Sequence, residues 1–410
     1  MERKGELIVG LDIGTTKVCA VVGEVAEANI DVIGVGCHPA HGMERGVVIN
    51  VEDIVSSIKR AVEEAELMAK CEIRSVHTGI SGIHIQGFNS QGAIALKHRE
   101  VRKKDVERVI EEAKKISIPS DKEIIRVLPQ EFIVDDRGDI RDPIGIVGER
   151  LEVKGHVITA CLNSIETVLK CIEKAGLDVV NVILQPMAAS EAILTEDEKT
   201  LGVGLVDFGG GTTDLAIFFN NSIRHTAILG VGGVNITKDI ALGLRTPISE
   251  AEKIKIHHGT VTIDLLEEDE QIKVPIIGNH KPQLVPKSVL TQIIQARVEQ
   301  ILVRLEQELR NAELKEVLVG GMVITGGSSI LPGLLEEAEQ IFGLPTRLGY
   351  PQGVGGLVDI IRNPIYATAV GLIKHSIKGQ KKQQQGLFER KKGVWNRFIT
   401  GFEDWFKKAF

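Results

Sequence analysis

The 410-residue sequence contains no Cys-x-x-Cys pair, and its five cysteines, Cys19, Cys37, Cys71, Cys161 and Cys171, are odd in number. That pattern argues against a thiolate metal site and against a disulfide framework. The cysteines read as small buried hydrophobes in a reducing cytosol. No run of 18 apolar residues occurs, so no helix is expected to span a bilayer. The opening MERKGELIVGLDIGTT lacks the long apolar stretch of a secretory signal. The pattern GxxxxGK[ST] is absent, which excludes a P-loop protein, and the glycine spacing around Gly230 and Gly232 is too weak for a dinucleotide fingerprint. Aromatic residues make up only 4% of the chain, and seven of the fifteen fall within residues 387–410.

What is present points to a multidomain α/β protein. A chain of this length with 43% hydrophobic residues exceeds what one core ordinarily uses. Net charge is -7, but residues 374–410 carry +7, which leaves -14 on the other 373. An acidic body repels nucleic acid, whereas a basic end attracts an anionic surface.

Residues 6–24 read as two strands joined by a Gly-Thr-Thr turn, with a third strand near 31–38. A helix is expected over 50–70, capped by Asn50, with Ile54, Ile58, Ala61, Val62 and Ala65 in one stripe. The opening recurs: GLVDFGGGTTDLAIFF at 204–219 resembles VGLDIGTTKVCAVV at 9–22. Repetition at half-chain distance indicates a duplicated domain rather than a solenoid. The expected division is 1–84 with 163–198 as one lobe core, and 199–230 with 306–375 as the other. A non-repeating insert, 85–162, holds a basic helix within 98–115 and strands near 126–136 and 151–162. Residues 231–305 form a mostly helical subdomain, and the polar, low-complexity stretch 376–386 reads as a flexible linker.

The turns DIGTTK (12–17) and DFGGGTTD (207–214) share one logic. Each follows an apolar strand that ends in an aspartate. Glycine lets backbone N–H groups approach an anion closely, and threonine hydroxyls add donors. Lys17 offers a point charge to a phosphate oxygen. Asp12 and Asp207 would face the gap where Mg²⁺ and its waters sit. Two such turns facing each other would clamp a triphosphate from both sides. A third cluster, VITGGSSILPGL (323–334), could present Gly326, Gly327 and Ser328 to a purine and ribose.

These turns resemble the phosphate 1, phosphate 2 and adenosine motifs of the actin, hexokinase and heat-shock chaperone superfamily. Within it, the chain resembles the FtsA family of bacterial cell-division proteins along nearly its whole length. The most specific stretch is RVLPQEFIVDDRGDIRDPIGIVGERLEVKGHVITA (126–160), which looks like the family's inserted subdomain. The resemblance implies an actin-like ATPase fold of two duplicated lobes with ATP and Mg²⁺ between them. It implies that Gly14, Thr15, Thr16, Lys17, Gly210, Gly211, Thr212 and Thr213 contact phosphates. It suggests that Glu252 and Lys255 meet the ribose and adenine. Gln185, in VILQPMAAS (182–190), stands where chaperone relatives carry a glutamate near the attacking water. A neutral amide orients water but cannot take its proton, so at most slow hydrolysis is expected, with Asp207 or Asp214 assisting.

The resemblance further implies a peripheral membrane protein of the division septum that self-associates, binds the FtsZ C-terminal tail on 231–305 near Arg297, and recruits later division proteins. Residues 387–410 fit that role on their own pattern. Trp395, Phe398, Ile399, Phe402, Trp405, Phe406 and Phe410 share one face of an expected helix, opposite Arg397, Lys407 and Lys408. Such a helix lies in the interface of an anionic membrane. The alternatives within the superfamily are an MreB-like or pilus-assembly ATPase and a small-molecule kinase. The first two lack the 126–160 segment, and the kinase would need a carboxylate base for a sugar hydroxyl and would leave the amphipathic end unexplained.

Overall fold

A computed structural model describes residues 5–26, 29–266, 269–278 and 280–383. The amphipathic segment 387–410, with its seven expected membrane-facing residues, lies outside the described residues.

Two sheets repeat one topology. In the first, β1 (Glu6–Ile13), β2 (Lys17–Ala26) and β3 (Asn29–Pro39) form an antiparallel meander. β4 (Ser75–Ile80) and β5 (Asp178–Leu184) add in parallel on the other side of β1. The spatial order is therefore β3-β2-β1-β4-β5, extended past β3 by a two-residue rung at Gly355–Gly356. In the second sheet, β6 (Val203–Phe208), β7 (Thr213–Phe219) and β8 (Ser222–Leu229) form the meander. β9 (Met322–Thr325) and β10 (Thr346–Leu348) add in parallel, giving β8-β7-β6-β9-β10. The second sheet copies the first strand for strand.

Helices cover these sheets because their apolar residues recur on one face. α1 (Val51–Ala69) starts where the Asn50 side chain accepts the Glu52 and Asp53 backbone N–H groups at 3.0 and 3.4 Å. It buries Ile54, Ile58, Ala61, Val62 and Ala65, the stripe read from the sequence. α1 lies so close to β3 that a Cβ on Gly36 would stand 1.9 Å from the Ala61 carbonyl oxygen. α2 (Gln185–Ile193) leaves the end of β5, while α3 (Gly233–Leu244) and α4 (Ile248–His258) follow β8. α5 (Lys287–Asn311) closes the second lobe's core through Leu290, Ile294, Val298, Ile301, Leu302 and Leu305, all buried.

The insert is a four-stranded antiparallel sheet, ordered Ile85–Ala95, Arg150–Ala160, Glu123–Val134, Arg137–Ile140, backed by the helix Lys103–Ala113. Its chain ends join the first lobe, yet it is tied to β8 of the second. Gln130 Nε2 donates to the Ile223 and Arg224 carbonyls at 3.0 and 3.2 Å, and His156 Nε2 meets Thr226 Oγ1 at 2.8 Å.

Two expectations need adjustment. The region 231–305 also holds an antiparallel pair, Gln271–Ile276 with His280–Pro286, and α5 continues past its limit to Asn311. The polar stretch from 376 is not a flexible linker as far as Gln383. It continues the helix α6 (Ala367–Gln383). Ser376 Oγ donates to the Leu372 carbonyl at 2.7 Å, Ile377 is buried, and Lys378 Nζ pairs with Glu196 at 2.9 Å and with Glu191. Tertiary contacts at its first turn override the low-complexity composition.

Candidate functional site: the cleft between the lobes

The turn between β1 and β2 closes when the Gly14 N–H donates to the Lys17 carbonyl at 2.9 Å. Asp12, at the end of β1, is buried and doubly held. Lys17 Nζ lies 3.2 Å from Asp12 Oδ2, and Gln185 Nε2 donates to Oδ1 at 3.0 Å. Gly79 makes room for Gln185, since a Cβ there would come within 2.7 Å of its Cγ. Lys17 Nζ also donates to the Ile365 carbonyl and sits 3.6 Å from Cys19 Sγ. Burial works against the Lys17 charge. The Cys19 sulfur and the Asp12 carboxylate outweigh it and hold the ammonium pKa above its ordinary value.

The turn between β6 and β7 closes the same way, with Gly209 N–H donating to the Thr212 carbonyl at 3.0 Å. Here neither aspartate forms an ion pair among the described residues, and burial and the charge of Asp12 raise Asp207 more than the charge of Lys17 lowers it. Desolvation, helped by the charge of Asp12, pushes Asp207 up to about 6. Desolvation and the charge of Asp207 push Asp214 up to about 7. Asp207 Oδ2 accepts from Thr368 Oγ1 at 3.3 Å, and Asp214 Oδ2 accepts from Ser81 Oγ. Asp214 Oδ1 is buried without a hydrogen-bond partner.

The two turns face each other across one gap. A Cβ on Gly210 would lie 2.4 Å from Thr16 Oγ1, and one on Gly211 would lie 2.3 Å from Thr15 Oγ1. Only glycine permits that approach. Gly326, at φ +90, completes the corner, because a Cβ there would stand 2.3 Å from Asp207 Oδ1. Ser328 Oγ donates to the Gly209 carbonyl at 3.0 Å, which ties the third glycine cluster to the second turn. Lys255 Nζ reaches Glu252 Oε2 at 2.8 Å, Thr237 Oγ1 at 2.9 Å and the Gly233 carbonyl at 3.2 Å. Gly233 in turn donates its N–H to Gly209 at 3.0 Å. Residues drawn from five separate stretches of sequence thus meet at one cleft.

Thr213 and Arg297 are placed differently. Thr213 is fully buried and its hydroxyl donates to the Val231 carbonyl at 2.8 Å, turned away from the gap. Arg297, on α5, touches none of the cleft residues named above and is already paired, its guanidinium gripping Asp239 of α3 at 2.5 and 3.0 Å. Among the described residues no group of three His, Cys, Asp or Glu side chains is close enough to hold a metal directly, and no helix is long and apolar enough to cross a membrane.

The sequence is 44% identical to the Cell division protein FtsA of Pseudomonas aeruginosa, over 94% of this chain and 92% of that one. It is 42% identical to the FtsA of Neisseria meningitidis serogroup B over the full length of both, and 36% identical to that of Escherichia coli K12 over 99% and 98%. The chain belongs to the FtsA family. The profile of "Cell division protein FtsA" matches residues 204–371, and that of the "SHS2 domain inserted in FTSA" matches residues 82–159.

Solved structures of other proteins share the actin-like fold of this FtsA-family chain. One is a "PilM-PilN type IV pilus biogenesis complex", with a TM-score of 0.64 at 19% identity over 90% of this chain and 98% of that one. Another is MreB 5 of Spiroplasma citri bound to AMPPNP, with a TM-score of 0.58 at 16% identity over 93% and 99%.

The cleft also uses residues that the sequence reading passed over. Ser81, Thr237, Thr368 and the Ile365 carbonyl all touch named site residues. Ser81 alone carried a signal, since it lies between Ile80 and Gly82 where β4 ends beside β1.

Proposed function

We propose that this cell-division protein binds ATP with Mg²⁺ in the cleft and holds FtsZ polymers on the cytoplasmic face of the membrane at the septum. The opposition of the two glycine-threonine turns carries the nucleotide part of this reading. The residues suit the ligand. An unpartnered buried carboxylate oxygen on Asp214, two aspartates with raised pKa values and a glycine-lined gap together call for a cation and an anion in the same place. Gly14, Thr15, Thr16, Lys17, Gly210, Gly211 and Thr212 would hold phosphates, with Thr213 contributing through its backbone alone. Glu252, Lys255, Gly326, Gly327 and Ser328 would border the nucleoside. Asp12 and Asp207 would hold Mg²⁺ through water. When bound, the cation neutralises charge on the phosphates.

Gln185, anchored to Asp12 through its amide nitrogen, keeps an oxygen with which to orient a water. It cannot take the proton, so hydrolysis is at most slow and ATP acts mainly as a conformational ligand. Asp207 would assist in placing that water. Residues 387–410 would moor the chain to anionic lipid, the FtsZ tail would dock on the 231–305 subdomain near Arg297, and the insert would recruit later division proteins. Acidic side chains of an FtsZ tail would compete with Asp239 for the Arg297 guanidinium. Self-association into filaments follows the family pattern.

Co-sedimentation of the full chain with anionic vesicles and FtsZ, with ATP or ADP, tests the whole reading. Deleting 387–410 should abolish vesicle binding and leave ATP binding intact. Vesicle binding that survives the deletion overturns the anchor, and loss of ATP binding only in cleft variants upholds the nucleotide site.

A further inference from the structure

Cys19 and Cys37 occupy directly opposed positions on β2 and β3. The type of pairing can be worked out from neighbouring contacts. The Ala40 N–H donates to the Thr16 carbonyl at 3.0 Å, which marks Thr16 and Ala40 as a hydrogen-bonded pair. Hydrogen-bonded and non-hydrogen-bonded pairs alternate along an antiparallel ladder. Lys17 and Pro39 are then a non-hydrogen-bonded pair, as the missing N–H of proline requires, and Cys19 and Cys37 are the next one. The Cys37 N–H agrees, since it leaves the β2–β3 ladder and donates to Glu64 Oε2 at 3.0 Å. Opposed residues in such a pair have Cα atoms about 4.5 Å apart, with side chains on one face. A disulfide accepts Cα separations of about 4.4 to 6.8 Å.

From this register we infer that Cys19 and Cys37 are a dithiol site that closes to a reversible disulfide when the protein meets a peroxide. The separation falls at the short end of the tolerated range, which suits a bond that is easily reduced again rather than a permanent staple.

The two thiols differ in the way the chemistry needs. Cys19 is fully buried and Cys37 is partly exposed. Cys37 is therefore the thiolate that attacks hydrogen peroxide, forming a sulfenic acid and releasing hydroxide, which takes up a proton to become water. Cys19 then attacks the Cys37 sulfur, expels the sulfenic oxygen as a second water and gives up its proton. The thiols lose two electrons and two hydrogens in all, and the peroxide is reduced to two waters. Cys71, Cys161 and Cys171 are not opposed to another cysteine on any ladder among the described residues, so the reaction is selective.

The experiment uses the full chain without nucleotide, so its outcome is independent of the nucleotide reading. Protein treated with hydrogen peroxide and then alkylated is digested with trypsin. Cleavage after Lys17 and Arg45 places both thiols in one peptide, residues 18–45. The expected product is that peptide lacking two hydrogens and refusing alkylation, with recovery by dithiothreitol. In Cys19→Ser, Cys37 should instead stop at a sulfenic acid that dimedone traps. The inference fails if both thiols in wild-type protein stay alkylatable while Cys71, Cys161 or Cys171 oxidises first, or if peroxide only links Cys37 between two chains. The wild-type measurement decides the matter even if the buried Cys19→Ser variant folds poorly.

Discussion

The two phosphate turns have the same backbone and opposite electrostatics. In each, an aspartate ends the first strand and pairs across the ladder with a residue seven positions later: Asp12 with Cys19, and Asp207 with Asp214. Each turn closes through a glycine N–H to the carbonyl three residues on. The difference lies in what surrounds the aspartate. Asp12 has a lysine and an amide of its own. Asp207 and Asp214 have hydroxyls and each other, and neither forms an ion pair among the described residues. One half of the duplication carries its own counter-charge in contact, and the other does not.

The largest test of that contrast removes the counter-charge from the first half. Lys17→Ala leaves Asp12 buried without its ammonium, and about 3–5 kcal/mol of stability should be lost. Thr212→Ala, at the corresponding place in the second turn, should cost about 1 kcal/mol. Urea denaturation of the two variants measures both, and equal losses would remove the distinction.

A second test uses pH. The folded pKa values of Asp207 and Asp214, about 6 and about 7, lie above the ordinary aspartate value of 3.8. Between about pH 4 and pH 7 the folded chain therefore holds more protons at these two carboxyls than the unfolded one. The contribution of the pair to the stability of the nucleotide-free protein should fall as pH rises through that window, against an opposite contribution from His77, His84, His156 and His375, which burial holds at about 3 to 4. Asp214→Asn should flatten the upper part of the fall and gain roughly 2 kcal/mol at pH 8. Denaturation midpoints of wild type and Asp214→Asn at pH 5 and pH 8 report the difference, in which the histidine contributions cancel. A gain from Asp214→Asn that does not grow between pH 5 and pH 8 would contradict the assignment.

The smallest effect separates two threonines with the same apparent role. Thr213→Val removes a buried hydroxyl that serves Val231, so it should cost about 1–2 kcal/mol of stability. Its effect on nucleotide affinity should be slight. Thr16→Val, in the gap beside Gly210, should leave stability nearly unchanged and weaken nucleotide binding about fivefold or more. Calorimetric titration with ATP distinguishes them.

The duplication was readable from local chemistry, since strand, aspartate, glycine and threonine follow one another along ten residues in both halves. α1 was readable for the same reason, because its cap and its stripe are adjacent in sequence. The partners that set the charge balance were not, for they come from far along the chain. Gln185 reaches Asp12 across 173 positions, Ser81 reaches Asp214 across 133 and Thr368 reaches Asp207 across 161. Thr213 was misplaced because strand alternation alone does not say which face of β7 looks into the gap. The helical continuation through Gln383 was hidden by composition, since Lys378 owes its order to Glu191 and Glu196, which lie nearly two hundred residues earlier.

α6 gives the cleft a mechanical arm. Its second residue, Thr368, touches Asp207 of one lobe, and the carbonyl of its third, Ala369, lies against Gly10 of the other. Seventeen residues of α-helix make a rod about 25 Å long. Lys378 ties the rod to Glu191 and Glu196 of the first lobe, so the helix is held at both ends and spans the distance from the cleft to Gln383 as one rigid piece.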